Sequence, residues 1–473
     1  MGVRFLVCWF CLVTLSLAAE RPNIILMLAD DQGWNGLSVA MHPELAGSKS
    51  ELYHTPQLER LAADGMRFSA AYAPAPVCSP TRISLQTGKS PAQLHWTKAA
   101  PPTAGQPLIE PQLVKQISSD EVTVAELLKS AGYATAHYGK WHLGGGGPGQ
   151  HGYDEHDGET GNETAYRFAD PNPVDIFGMA DRAAAFMEKN AKAGRPFFIQ
   201  LSWHALHAPG NALAATQAKY RRIGNGRNDK LSATAAITED LDTGVGRVLA
   251  SVDRLGLADS TYIIYTSDNG SGGGRRNGGL NGGKGGVWEG GIRVPLIVRG
   301  PGIQPNTCCH VRVVGYDLLP TFCQWAGVAR TNIPPSIEGG SLVELLAHGG
   351  QGQVRRPRDE LVFHFPHYQG DAPHSAILVG DVKLIHFYEQ GGRDLLFDLS
   401  TDLGERNDLS AERPAEAARL RARLTDHLAA INAQLPVVNP AYDPRQPIEP
   451  RQKVRGQRRG RGQRGEQTQG DLP

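Results

Sequence analysis

The chain has 473 residues, enough for two or three domains and at least one large core. Lysine plus arginine and aspartate plus glutamate are equal at 48 each, so the net charge is zero and bulk charge argues for neither nucleic acid nor an acidic membrane as partner. Glycine at 56 and proline at 32 are abundant without reaching the level of a disordered chain, a balance that suits long loops on an ordered scaffold.

The opening "MGVRFLVCWFCLVTLSLAAERPN" predicts a secretory signal over residues 1–18, with Arg4 as its positive end, Phe5 to Leu15 as its apolar segment and Ser16-Leu17-Ala18 as its cleavage site. The apolar run is shorter than the ~20 residues of a spanning helix, and no later run is long and apolar enough. The expected protein is therefore exported (periplasmic, secreted or lysosomal) and has no membrane span. Of the six cysteines, Cys8 and Cys11 fall in the signal. Cys308 and Cys309 lack metal-type spacing, and Cys323 in "LLPTFCQWAG" is expected to be buried or paired with one of them.

"PNIILMLADDQG" is an apolar run ending in two acids, as in a strand buried on both faces of a parallel sheet. "TPQLERLAADG" predicts a helix with Thr55 as N-cap and Pro56 in its first turn, and "TVAELLKSAGY" a second with Thr123 and Glu126 as a capping box. "PFFIQLSW" and "STYIIYTSDNG" are further buried strands, separated by the helical "ATAAITEDLDTGVGRVLASVDRLG". This alternation predicts an α/β fold with a large, mostly parallel, doubly wound sheet flanked by helices on both faces. Near residue 355 the character changes: "DVKLIHFYEQGGRDLLFDL" alternates and turns at Gly391-Gly392 like an antiparallel hairpin, and a helix with Leu420, Leu424, Leu428 and Ile431 on one face follows. The expected units are a catalytic domain over 19–355, a smaller C-terminal α+β domain over 356–449 and a basic, disordered tail over 450–473.

Chemistry concentrates where strands end. Asp30-Asp31 follows "IILMLA" and Asp268-Asn269 follows "YIIYTS". Neighbours in a strand face opposite ways, so each doublet can serve one ligand only where the strand breaks into a loop, which is where doubly wound sheets bind ligands. Either doublet alone reads as turn or cap residues; the two together offer four hard oxygen donors and predict a Ca²⁺ site, with Mg²⁺ as the weaker fit. "GKWHLG" presents Lys140 and His142, on one side if the segment is extended; "SWHALHAP" offers His204 and His207; "GGKGGVWEGGIRVP" sets Lys284 in a glycine-rich loop. That loop lacks the Ser/Thr that follows the lysine of a phosphate-binding loop, so nucleotide binding is not expected.

Cys78-x-Pro80-x-Arg82, followed by Thr87-Gly88-Lys89, resembles the signature of the type I, formylglycine-dependent sulfatases of the alkaline phosphatase superfamily. The resemblance continues through "NIILMLADDQGW", "TPQLERLAADGMRF", "GYATAHYGKWHLG", "SDNG", "GGKGGVWEGGIRVPLIVRGPG" and "DLLPTFCQWAG", in an order that spans nearly the whole mature chain. Its style is similar to the arylsulfatase A and N-acetylgalactosamine-6-sulfatase branch.

That resemblance implies that a formylglycine-generating or equivalent maturation enzyme oxidises Cys78 to a hydrated aldehyde, one hydroxyl of which attacks sulfur while the other later expels sulfate. It implies Ca²⁺ held by Asp30, Asp31, Asp268, Asn269 and modified Cys78, with Arg82 steadying the diol and Lys140 and Lys284 binding sulfate oxygens. His142 corresponds to the histidine that deprotonates the diol, and His207 to the acid that protonates the leaving alcohol. His204 is assigned a subsite or orienting contact, and His95, His364 and His367 are candidates for the leaving-group pocket, as is Trp96. The expected substrate is a sulfate monoester of a carbohydrate or an aryl alcohol. Two alternatives stay open: a phosphonate or phosphodiester hydrolase of the same superfamily, and a glycan-binding pseudoenzyme in which Cys78 remains a thiol.

Overall fold

In the computed structural model, the apolar run Asn23–Ala29 is a strand, β1, at the heart of the larger sheet. The described residues are 21–223, 229–272 and 277–445, so the expected signal and basic tail lie outside them. β1 pairs in parallel with Phe197–Ser202 on one side and Thr261–Ser267 on the other. Beyond Phe197–Ser202 the sheet continues in parallel through Ala134–Gly139 to Glu155–His156. Beyond Thr261–Ser267 it turns antiparallel at Leu296–Arg299, then adds Met66–Phe68 and Thr307–Cys309, for eight strands among the described residues.

The two-residue period of β1 builds two cores. Ile25 and Met27 pack on one face with residues of the helices Pro56–Ala63 (α1), Ile176–Lys192 and Asp229–Arg254. Ile24, Leu26 and Leu28 pack on the other with Val124–Ser130 and Leu318–Ala326. A strand covered on both faces has no use for polar alternation, which is why this one reads as a continuous apolar run. The expected doubly wound α/β architecture is what the chain adopts.

The capping box of Thr123 and Glu126 is present. At α1 the expected cap works differently. Thr55 is the N-cap residue, but its hydroxyl bonds Ser38 at 2.8 Å, and the first-turn N–H groups of Gln57 and Leu58 donate instead to Asp242, at 3.0 and 2.9 Å. A carboxylate distant in sequence has replaced the local cap. Cys78, Cys308, Cys309 and Cys323 are all free thiols, so burial rather than pairing is the fate of Cys323.

The smaller sheet is antiparallel throughout, in the order Leu361–Phe365, His374–Val379, Val382–Phe387, Arg393–Asp398. Leu361, Phe363 and Phe365 face a core shared with Tyr72, Val77 and Val287, while Val362, Ile377 and Leu384 face Leu420, Leu424 and Leu428 of the helix Pro414–Ala430. The shared core presses this sheet against the segments that carry Cys78 and Lys284. No helix among the described residues is long and apolar enough to cross a membrane.

Candidate active site

Where β1 ends, Asp31 takes φ 63°. This left-handed turn, tolerated by aspartate better than by most residues, breaks the strand so that the two acids no longer face opposite ways. Two backbone bonds lock the turn: Asp30 N–H donates to Ala205 O at 2.8 Å, and Leu206 N–H donates to Asp30 O at 2.6 Å, which also moors the loop bearing His204 and His207. Thr261–Ser267 ends alongside, and its Asp268 N–H donates to Ala29 O at 3.1 Å. One oxygen each from Asp30, Asp31 and Asp268 then lie within 4.8 Å of one another.

Cys78 begins the helix Cys78–Thr87 (α2), every residue of which is buried. One turn on, the Arg82 guanidinium donates to Asp268 Oδ2 from Nε at 3.0 Å and from Nη2 at 2.7 Å, and to Lys140 O from Nη1 at 2.7 Å. This side-on pairing fixes α2 against two strand ends at once. Lys140 follows the strand Ala134–Gly139, and its ammonium donates to Asp30. Gly139 has φ 91°, and a side chain there would strike Ser202 O, so only glycine allows the close approach that delivers Lys140. The segment is not extended: His142 also has positive φ, at 60°, and with buried Trp141 between them it and Lys140 reach the site by turning rather than by strand alternation. Lys284 donates to Asp31, and the neighbouring Gly285 N–H donates to Pro76 O at 2.9 Å, which ties the glycine loop to the segment before Cys78.

Three acids and three cations are thus interleaved in a nearly dry space. Burial alone would raise the Asp30 carboxyl, but Lys140, Arg82 and Lys284 reverse that and hold it well below the usual range. Burial and the adjacent Asp30 charge raise Asp268. Burial pushes the Cys78 thiol up despite Lys140 and Lys284. Burial, reinforced by Lys140, lowers His142 to about 2 and His204 to about 3, so both are neutral above pH 4. His207, half-buried, interacts electrostatically with Asp30, His142 and His204, and its Nδ1 is 3.0 Å from Ala208 O. Asp30 Oδ1 and Asn269 Oδ1 are buried without a hydrogen-bond partner, as are Nδ1 of His142 and of His204. Orphaned oxygens beside three carboxylates are a donor set that fits a hard divalent cation.

Three expected pocket residues are bonded to groups other than the acids and cations of this cluster. His364 is buried in its strand, with Nδ1 2.6 Å from Ser375 Oγ and Nε2 2.8 Å from Gln434 O. His95 sits 2.7 Å from Asn432 O. Both tie the smaller sheet's surroundings together, and buried His364 satisfies both its nitrogens with the nearest polar groups. His367 is completely buried, joining Glu110 at 2.8 Å and Thr97 at 2.7 Å. Glu110 in turn takes Lys98 on both oxygens, at 2.9 and 2.7 Å. Sequence reasoning passed over Lys98 and Glu110, although they are the only Lys, Arg, Asp or Glu between Lys89 and Lys115, a sparse pair in an apolar, proline-rich stretch.

Residues 22–328 match the family model described as Sulfatase, and residues 283–434 the one described as N-sulphoglucosamine sulphohydrolase, C-terminal. Arylsulfatase A of Bos taurus is 31% identical over 458 residues, covering 83% of this chain and 84% of its own length. N-acetylgalactosamine-6-sulfatase of Canis lupus familiaris is 31% identical over 410 residues, covering 78% and 72%. Among solved structures, Ps i-CgsB in complex with k-i-k-neocarrahexaose superposes with a TM-score of 0.72 at 24% identity, covering 86% of this chain and 93% of that one. Another, solved with its substrate D-glucosamine-2-N,6-O-disulfate, gives 0.65 at 21% identity, covering 87% and 98%. At those identities the superpositions speak for the fold.

Proposed function

The chain belongs to the sulfatase family of sulfuric ester hydrolases, and we propose that it hydrolyses sulfate monoesters of a sulfated carbohydrate, using Cys78 oxidised to formylglycine and one Ca²⁺ ion. The observation that carries this reading is the interleaved cluster of Asp30, Asp31, Asp268, Arg82, Lys140 and Lys284 around the start of α2. The partnerless Asp30 Oδ1 and Asn269 Oδ1 support a metal there. Four oxygen-bearing side chains suit Ca²⁺, which takes about six to eight oxygens, better than Mg²⁺, which keeps its waters. The raised thiol of Cys78 supports modification, because a neutral, buried thiol is a poor nucleophile. Formylglycine hydrate would supply one hydroxyl to attack sulfur and a second to release sulfate, and Ca²⁺ would polarise the sulfuryl oxygens.

The remaining work falls to side chains of this chain. Asp30, Asp31, Asp268 and Asn269 would hold the metal, and Arg82 would keep Asp268 in place while offsetting its charge. Lys140 and Lys284 each carry three donors, enough to retain an aspartate and still bind a sulfate oxygen. Neutral His142 would accept the proton of the position-78 hydroxyl, His204 would orient the reacting groups, and half-buried His207 would donate a proton to the departing alcohol. Buried α2 adds a constraint on maturation: the "CSPTR" stretch is inaccessible once packed, so an enzyme that oxidises Cys78 would act before α2 docks.

Intact mass of the mature peptide containing Cys78 tests the modification, which lowers the mass by about 18 Da. Turnover of 4-nitrophenyl sulfate against an aryl phosphodiester tests the reaction. Modified protein that prefers the phosphodiester would overturn the sulfatase assignment, and an unmodified, inactive native protein would favour a binding role.

A further inference from the structure

Beside the site, a cleft of about 380 Å³ begins at Ser79 and His142 and runs out to Lys115, Glu159 and Glu163. Its volume lies within the range of about 300–1,000 Å³ common for small-molecule pockets. Ser79 adjoins Cys78 in the chain and His142 belongs to the site, so the cleft borders the position where a sulfate ester would react.

The charge of the cleft is the informative feature. Lys98 also lines it, yet its ammonium is committed to both oxygens of Glu110 and to Tyr368 O at 3.2 Å, in a fully buried pair. That leaves Lys115 against Glu159 and Glu163, all three exposed, a rim with excess negative charge. Neither glutamate takes part in a hydrogen bond or ion pair found among the described residues. Their carboxylates lie over bare backbone: a Cβ built on Gly161 would fall 2.6 Å from Glu163 Oε2, and one on Gly144 would fall 3.4 Å from Glu159 Oε1. The opposite wall is preformed, because the Lys98–Glu110–His367–Thr97 chain pins the segment carrying Trp96 and Pro101 to the end of the smaller sheet.

We propose that this cleft is the leaving-group subsite and that Glu159 and Glu163 make it selective for an otherwise uncharged sugar. The proposal rests on the sulfatase reading above. Free carboxylates accept charge-assisted bonds from sugar hydroxyls, and they repel a second sulfate or a uronate on the same residue. Selectivity therefore runs against multiply anionic sugars, even though the sulfate hole itself is rich in cations.

The test compares O-sulfated N-acetylglucosamine and N-acetylgalactosamine, each as its 3-, 4- and 6-sulfate, with the matching N-sulfo analogues, and uses 4-nitrophenyl sulfate as reference. For the position that is cleaved, the N-acetyl sugar is expected to have a kcat/KM at least tenfold above its N-sulfo analogue, and Glu159→Gln with Glu163→Gln is expected to bring that ratio towards one. A ratio at or below one in the unaltered protein, or one that the substitutions leave in place, overturns the proposal. So does turnover of the aryl sulfate with none of the sugars, an outcome that spares the sulfatase reading. Failure of formylglycine-bearing protein on every sulfate ester refutes that reading instead.

Discussion

At position 31 a single backbone torsion decides whether two adjacent acids can serve one ligand, and the φ of 63° at Asp31 is what turns the doublet into half of a site. The residue-scale predictions concern the groups around it. Cys78→Ala is expected to abolish turnover while leaving circular dichroism and thermal unfolding close to those of the parent, because alanine suits the first turn of α2; residual turnover above background would show that another nucleophile operates. His207→Ala is expected to slow hydrolysis of an alkyl or sugar sulfate by about 10²–10⁴-fold and that of 4-nitrophenyl sulfate much less, since a good leaving group needs no proton. Equal losses on both would remove His207 from the acid role. The motif residues were legible because they stand in short contiguous runs, at strand ends, in the first turns of α2 or in the glycine loop. His364 and His367 were not, since a buried histidine's partners (Ser375, Gln434, Glu110) come from remote segments that carry no local pattern.

Elements position these residues by borrowing groups from one another. α1 receives its cap from Asp242, which belongs to the helix Asp229–Arg254, and burial pushes that carboxyl up to about 7 even though the N–H groups of Gln57 and Leu58 pull the other way. The proton is therefore held more tightly in the folded chain than in the unfolded one, where the value is about 3.9. Stability from this source is complete below pH 4 and declines as pH rises to about 7. Urea unfolding at pH 4.5 and pH 8 is expected to show the parent losing about 3 kcal/mol relative to Asp242→Asn across that interval. Parallel pH profiles for the two proteins would mean that the carboxyl is not raised. Helix and strand identities could be predicted because apolar periodicity is local. The cap at α1 could not, because Thr55 had the right chemistry and tertiary packing supplied a different partner.

Across the molecule, the smaller sheet holds part of the site in place. Lys383 lies 2.9 Å from Glu289 and 2.8 Å from Glu405, all three fully buried, and Glu289 also takes Arg293 at 2.7 Å and the Tyr72 hydroxyl at 3.0 Å. Glu289 follows Lys284 by five residues, and Val287 N–H donates to His374 Nε2 at 3.0 Å, so the glycine loop is fastened to this sheet at two points. Lys383→Met would leave two glutamates buried without their shared cation; a loss of about 3–5 kcal/mol is expected in chemical unfolding. Unfolding within about 0.5 kcal/mol of the parent would mean that water or a neighbouring cation replaces the ammonium. The sequence by itself determined the α/β architecture, the two acidic strand ends, the signature around Cys78 and the lysines and histidines that accompany them, because those features are written in contiguous residues. Only the tertiary structure decided that Lys98 is neutralised by Glu110, that Glu159 and Glu163 face a cleft beside His142, and that the smaller sheet braces the loop of Lys284. Such facts depend on which charges meet after burial, and burial is a property of the packed chain.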